Sequence, residues 1–131
     1  MWNKESKDIT AVASKSKEDK YQSLELIIAV NHLPSFDTFS AADPLIGFYV
    51  EEGLNSNKWI FKKMTEAVWD SPNHIFLETL ILPYYKDNVQ RVKIELWDVD
   101  KFDDTLKITD HDYIGEAIYN LSDALTEGKQ V

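Results

Sequence analysis

From residue 21 onward, apolar and polar positions alternate along most of this chain. Between Tyr21 and Asn31, Leu24, Leu26, Ile28 and Val30 share one parity, while Ile27 and Ala29 make the other partly apolar. Between Val89 and Trp97, Val92, Ile94 and Leu96 alternate with Arg91, Lys93 and Glu95. A period of two belongs to a strand, because successive side chains point to opposite faces of a sheet. The same reading predicts strands over Leu45 to Glu51, Lys58 to Glu66, His74 to Leu82 and Tyr113 to Tyr119, six in all. Gly53 to Asn57, Val68 to Asn73 and Pro83 to Asn88 carry turn chemistry between them. Ser122 stands where it could cap a short helix, Asp123 to Thr126. Residues 1–20 are polar and rich in Lys and Ser, and read as a flexible tail with room for a short helix around Asp8 to Ala13. The domain is then residues 21–131. Short strands with turns and almost no long helix predict an all-β antiparallel sandwich.

Two of the predicted loops are acidic. Asp98 and Asp100 continue the parity of Val92, Ile94 and Leu96, so the fifth strand ends by delivering two carboxylates to one side. Asp103, Asp104, Asp110 and Asp112 follow before Tyr113-Ile114-Gly115. The loop after the first strand, HLPSFDTFSAADP, holds Asp37 and Asp43, and Pro44 keeps Asp43 extended at the start of the next strand. If both loops lie at one end of the sandwich, Asp37, Asp43, Asp98, Asp100 and Asp112 converge. Like charges held close repel and need a compensating partner. An all-oxygen, flexible set suits calcium, which takes roughly 6–8 oxygen ligands, better than magnesium or zinc. Asp103, Asp104 and Asp110 read as a wet insertion.

Composition narrows the classes. With 131 residues the chain is long enough for one domain with a sizeable core. It has no cysteine, which removes disulfides and thiolate metal sites. The three histidines are scattered, so zinc is not expected. Five lysines against four acids in residues 1–20 leave the remainder of a −9 chain at −10. An acidic body argues against nucleic acid as a partner. It is compatible with an anionic membrane, because bound calcium reverses the local sign. No apolar run approaches the roughly 20 residues needed to span a bilayer. The beginning, MWNKESKDITAV, has no signal-peptide core.

The strand followed by Asp37-Thr38-Phe39-Ser40-Ala41-Ala42-Asp43-Pro44 resembles the first calcium-binding loop of a C2 domain. Trp97-Asp98-Val99-Asp100, followed by Asp112-Tyr113-Ile114-Gly115-Glu116, resembles the third. The Asp-x-Phe-Ser-x-x-Asp-Pro form and the long acidic insertion are most similar to the copines, over about Gln22 to Leu125. That resemblance implies an eight-stranded sandwich with calcium and phospholipid at one tip. It implies calcium ligands at Asp37, Asp43, Asp98, Asp100 and Asp112, with Asp43 and Asp98 bridging two ions, and the position of the first C2 domain of a copine. Against that pattern the chain is expected to lack its last two strands. Unpaired edges would then favour a protein partner or a homodimer.

Phe102, Leu106 and Ile108 are candidate membrane contacts in the acidic insertion, and Phe39 is expected to pack inward. Lys62 and Lys63, with Trp59, are candidate contacts for anionic headgroups, worth about 1 kcal/mol per basic residue near such a surface. The expected function is calcium-dependent recruitment of a cytoplasmic protein to the inner face of anionic membranes. Its rival is a calcium-independent protein-interaction module on the same sandwich. No nucleophile elbow or phosphate-cradling glycine loop is present, so no catalysis is expected.

Overall fold

The computed structural model describes residues 9–15, 23–31, 43–68, 73–85, 88–99 and 107–123. They form two antiparallel sheets packed face to face. The first has β2 (Ser23–Val30) at its centre, flanked by β1 (Ile9–Lys15) on one side and by β5 (His74–Ile75) and β6 (Leu80–Pro83) on the other. The second runs β4 (Trp59–Met64), β3 (Pro44–Glu51), β7 (Arg91–Asp98), β8 (Asp112–Asn120).

The alternation read from the sequence becomes the core. In β2, Leu24, Leu26, Ile28 and Val30 are all buried; Ile46 and Phe48 of β3 and Val92, Ile94 and Leu96 of β7 meet them from the facing sheet. Fully burying such a side chain contributes about 1.5–3 kcal/mol. A smaller cluster of Leu45, Val99 and Ile108 sits on the outer side of the second sheet, with Trp97 against it.

The sandwich is as expected, but its strand count and edges differ. Residues 9–15 are neither tail nor helix. They form β1, paired with β2 from Ile9↔Val30 to Lys15↔Leu24, and bury Ile9, Ala11 and Ala13. The expected count of six strands is thereby corrected, since β1 occupies the flank of β2; the end of the chain, where the last two strands were expected to be lacking, lies outside the described residues. The predicted fourth strand is broken in two. Ala29 pairs with Ile75, yet Leu26 pairs with Leu80, so the interruption takes up two extra residues. Glu66 fills the break: its carboxylate accepts from Leu77 N (2.7 Å) and Glu78 N (3.0 Å). Burial pushes the Glu66 carboxyl up, but these bonds and His74 outweigh it and hold it below its usual value.

At the β3–β4 turn, Gly53 (φ 78°), Asn55 (φ 52°) and Asn57 (φ 57°) take left-handed conformations, which these residue types tolerate. After β8 the chain enters a helical turn at 121–123. Asn120 rather than Ser122 caps it, its Oδ1 accepting from Ser122 N at 3.4 Å; the rest of the expected helix lies outside the described residues.

Candidate functional site

Three of the five aspartates meet at one end of the second sheet, because strand register puts them there. β3 begins at Pro44, β7 ends at Asp98 and β8 begins at Asp112. Pro44 is paired with Asp98, and Asp98 with Asp112. Asp43, immediately before Pro44, donates its N–H to Asp98 Oδ1 at 2.9 Å, while Val99 donates its N–H to the Asp43 carbonyl at 2.9 Å. The two strand ends are thus locked together, with the Asp98 carboxylate oriented by backbone. Asp43 and Asp98 are half-buried and Asp112 is exposed. Asp37 and Asp100 lie outside the described residues, as do Phe39, Phe102 and Leu106. Among the described residues, no three acidic or imidazole side chains gather closely enough to hold a metal.

The acidic insertion returns to the sheet through a 3-10 turn, Ile108–Asp110. Asp110 closes it, with Oδ2 accepting from Lys107 N at 2.7 Å. Ile108 is buried against Leu45 and Val99. This corrects its candidacy as a membrane contact: it is the anchor of the loop. Its Cδ1 occupies the space a Cβ on Gly47 would need, so the glycine admits the loop onto the sheet.

A family model for the C2 domain matches residues 23–131. The chain belongs to the C2 domain family. It is 32% identical over 104 residues to Copine-D of Dictyostelium discoideum, covering 79% of this chain and 19% of that protein. Among solved structures, BON1-C2B is similar at a TM-score of 0.55 and 26% identity, covering 77% of this chain and 65% of that one. A C2 domain of RIM from Drosophila shares the fold at a TM-score of 0.58 and 13% identity, covering 87% of this chain and 83% of that one. This is therefore a copine-like C2 domain, a module of the membrane- and protein-interaction class. The chain spans 15–20% of the length of the curated relatives it matches.

From the aspartate tip along the second sheet, the outer face of this C2 domain is a belt of aromatic rings and paired charges. Tyr49 and Phe61 meet edge to face at 5.3 Å, and Trp97 and Tyr113 at 5.2 Å. Lys93 Nζ lies 4.7 Å from the Tyr49 ring centre and 5.4 Å from that of Trp59, and Arg91 lies 5.4 Å from Trp59. Both cations are already balanced. Lys93 pairs with Glu95 at 3.0 Å, and Arg91 donates to the two Glu51 oxygens through Nε and Nη2. The Arg91 bond holds the Glu51 carboxyl down at about 2. Burial, then Glu95, pushes the Tyr49 hydroxyl up, while burial and the 2.8 Å bond to Glu116 do the same to Tyr113.

Lys62 and Lys63 do not form one basic face. Lys63 reaches Glu78 at 2.9 Å, across to the interrupted strand of the first sheet. Lys62 lines a cleft at the opposite end of the sandwich from the aspartates. Sequence reasoning gave three contributors no role in the site. Gly47 has no local signature, because what it accommodates comes from 61 residues later. Arg91 and Lys93 entered only as polar positions alternating with the buried parity, although Glu95, the partner of Lys93, stood in the same alternation.

Proposed function

We propose that this C2 domain is a calcium-dependent phospholipid-binding module. The observation that carries the reading is the register Pro44↔Asp98↔Asp112, which brings Asp43, Asp98 and Asp112 to adjacent strand ends. Their donor set is all oxygen, which fits a hard cation and neither zinc nor a soft metal. Asp37 and Asp100 complete the ligand set in this reading, with room for two ions. Bound calcium would supply positive charge and further coordination positions for the phosphate oxygens of an anionic lipid. The chain's own part is to hold the carboxylates together. Asp43 N–H fixes the Asp98 carboxylate, and Ile108, packed on Leu45 and Val99, seats the chain on the sheet just before Asp112.

The balanced charges of Arg91 and Lys93 favour the tip over the outer sheet face as the lipid-binding surface. The protein in this reading is a non-catalytic cytoplasmic module that attaches reversibly to membranes. Liposome co-sedimentation with phosphatidylserine vesicles, in calcium and in excess chelator, tests it. Pelleting is expected only in calcium, and only for wild type beside Asp98→Asn/Asp100→Asn. Equal pelleting in chelator, or none in either condition, would overturn it.

A further inference from the structure

The end of the sandwich opposite the aspartates holds a cleft of about 490 Å³. It is about 23 Å from the tip, the run of β3 from Pro44 to Glu51 at roughly 3.3 Å per residue. Its size lies within the roughly 300–1,000 Å³ typical of small-molecule sites. Its walls are Val50, Leu54, Leu82, Pro83, Tyr85 and Val89. Three of these are unusually exposed for apolar residues: Leu54 at 67%, Tyr85 at 56% and Val89 at 48%. Apolar walls with a few polar groups converging on them are the usual make-up of a small-molecule site. The cleft is also pre-formed. The Gln90 side chain bridges its floor, donating to Pro83 O at 2.9 Å and accepting from Tyr85 N at 2.8 Å.

Of the three charged residues lining this space, Lys62 is the one outside the Glu51–Arg91 pair. Phe48 pairs with Lys63 and Tyr49 with Phe61, so Lys62 between them has no opposite residue. Lys62 is the extra residue of a β-bulge, a device that re-aims a side chain. Among the described residues it has no ion-pair partner, whereas Glu51 and Arg91 at the same cleft neutralise each other. We infer that the cleft is a binding site for an alkyl carboxylate, a single apolar chain ending in one negative charge. The chain occupies the apolar walls and the carboxylate meets Lys62. A single cation in a −9 protein, with Glu51 at the rim, matches a monoanion. A phosphate monoester, at about −1.5 to −2, would be under-compensated. This site is separate from the calcium tip and needs no metal.

The test is dodecanoate titration of the full chain in chelator, below the micelle threshold, followed by backbone amide chemical shifts. Saturable shifts are expected at Leu54, Leu82 and Val89. Lys62→Gln should weaken binding about tenfold or more, as losing a charged hydrogen bond does. Lys62→Arg should retain it, and Val89→Asp, at an exposed position that tolerates the change, should abolish it. Dodecanol should bind more weakly than dodecanoate. Equal binding of dodecanol and dodecanoate, unchanged affinity in Lys62→Gln, or shifts confined to the aspartate tip would overturn the assignment. With calcium removed throughout, failure here leaves the calcium reading untouched.

Discussion

A glycine in the middle of a strand usually weakens it, yet Gly47 is where the acidic insertion lands. A methyl group at this position would collide with Ile108 Cδ1 and press on the Tyr49 ring. Gly47→Ala should therefore cost about 1–3 kcal/mol, the usual range for overpacking, in urea denaturation. Combining it with Ile108→Val should recover part of that loss, a non-additivity expected of touching residues. Glu51 carries a second residue-scale prediction. Arg91 holds its carboxyl at about 2, below the ordinary 4.5. A depressed carboxylate contributes stability that is complete above pH 4.5 and lost as pH falls toward about 2. Glu51→Gln should accordingly flatten the acid limb of stability between those values, seen by urea melts at stepped pH. An unchanged slope would mean the pair does no work in folding.

Among the elements, β1 shows where pattern reading stops. Ile9, Ala11 and Ala13 share one parity and are buried, but apolar Val12 stands between the two alanines and blurs the alternation. Alanine has weak strand preference and short polar flanks surround the run, so the period was too faint to separate from a tail. β2 and β7 were legible because their buried parity is carried by Leu, Ile and Val. The placement of Asp98 followed from the same parity, and the register with Pro44 and Asp112 turned that parity into a shared tip. The break between β5 and β6 was not legible, since the group that fills it, Glu66, arrives from another part of the chain. The cleft was hidden for a related reason: its lining comes from four separate segments, and only Lys62 stood out in the sequence. If β1 is integral to the sandwich, Ala11→Asp should cost more than about 2 kcal/mol by burying a charge, while Thr10→Asp on the other parity should cost far less. Hydrogen exchange should also show the Thr10, Val12 and Ser14 amides, which face β2 across the register, protected together with those of β2.

At the scale of the whole molecule, the proposed calcium site predicts opposite signs for stability with and without calcium. In chelator, Asp43, Asp98 and Asp112 repel one another across adjacent strand ends, and a −9 chain adds to that self-repulsion. Asp98→Asn keeps the Oδ1 that accepts from Asp43 N and removes one negative charge. Without metal the variant should be more stable than wild type by about 0.5–1 kcal/mol. Calcium should reverse the order. A ligand that binds only the folded state at a hundred times its dissociation constant adds about 2.7 kcal/mol, roughly a 10 °C rise in Tm for a domain of this size. Wild type should gain that increment and lose it again on chelation. Magnesium, which dehydrates reluctantly and demands stricter geometry, should give little of it. Asp98→Asn should gain almost none. Scanning calorimetry of both proteins, in chelator, magnesium and calcium, reads all of this together. Because the two melting curves must cross between chelator and calcium, a merely destabilising substitution, which would lower Tm in every buffer, cannot imitate the result.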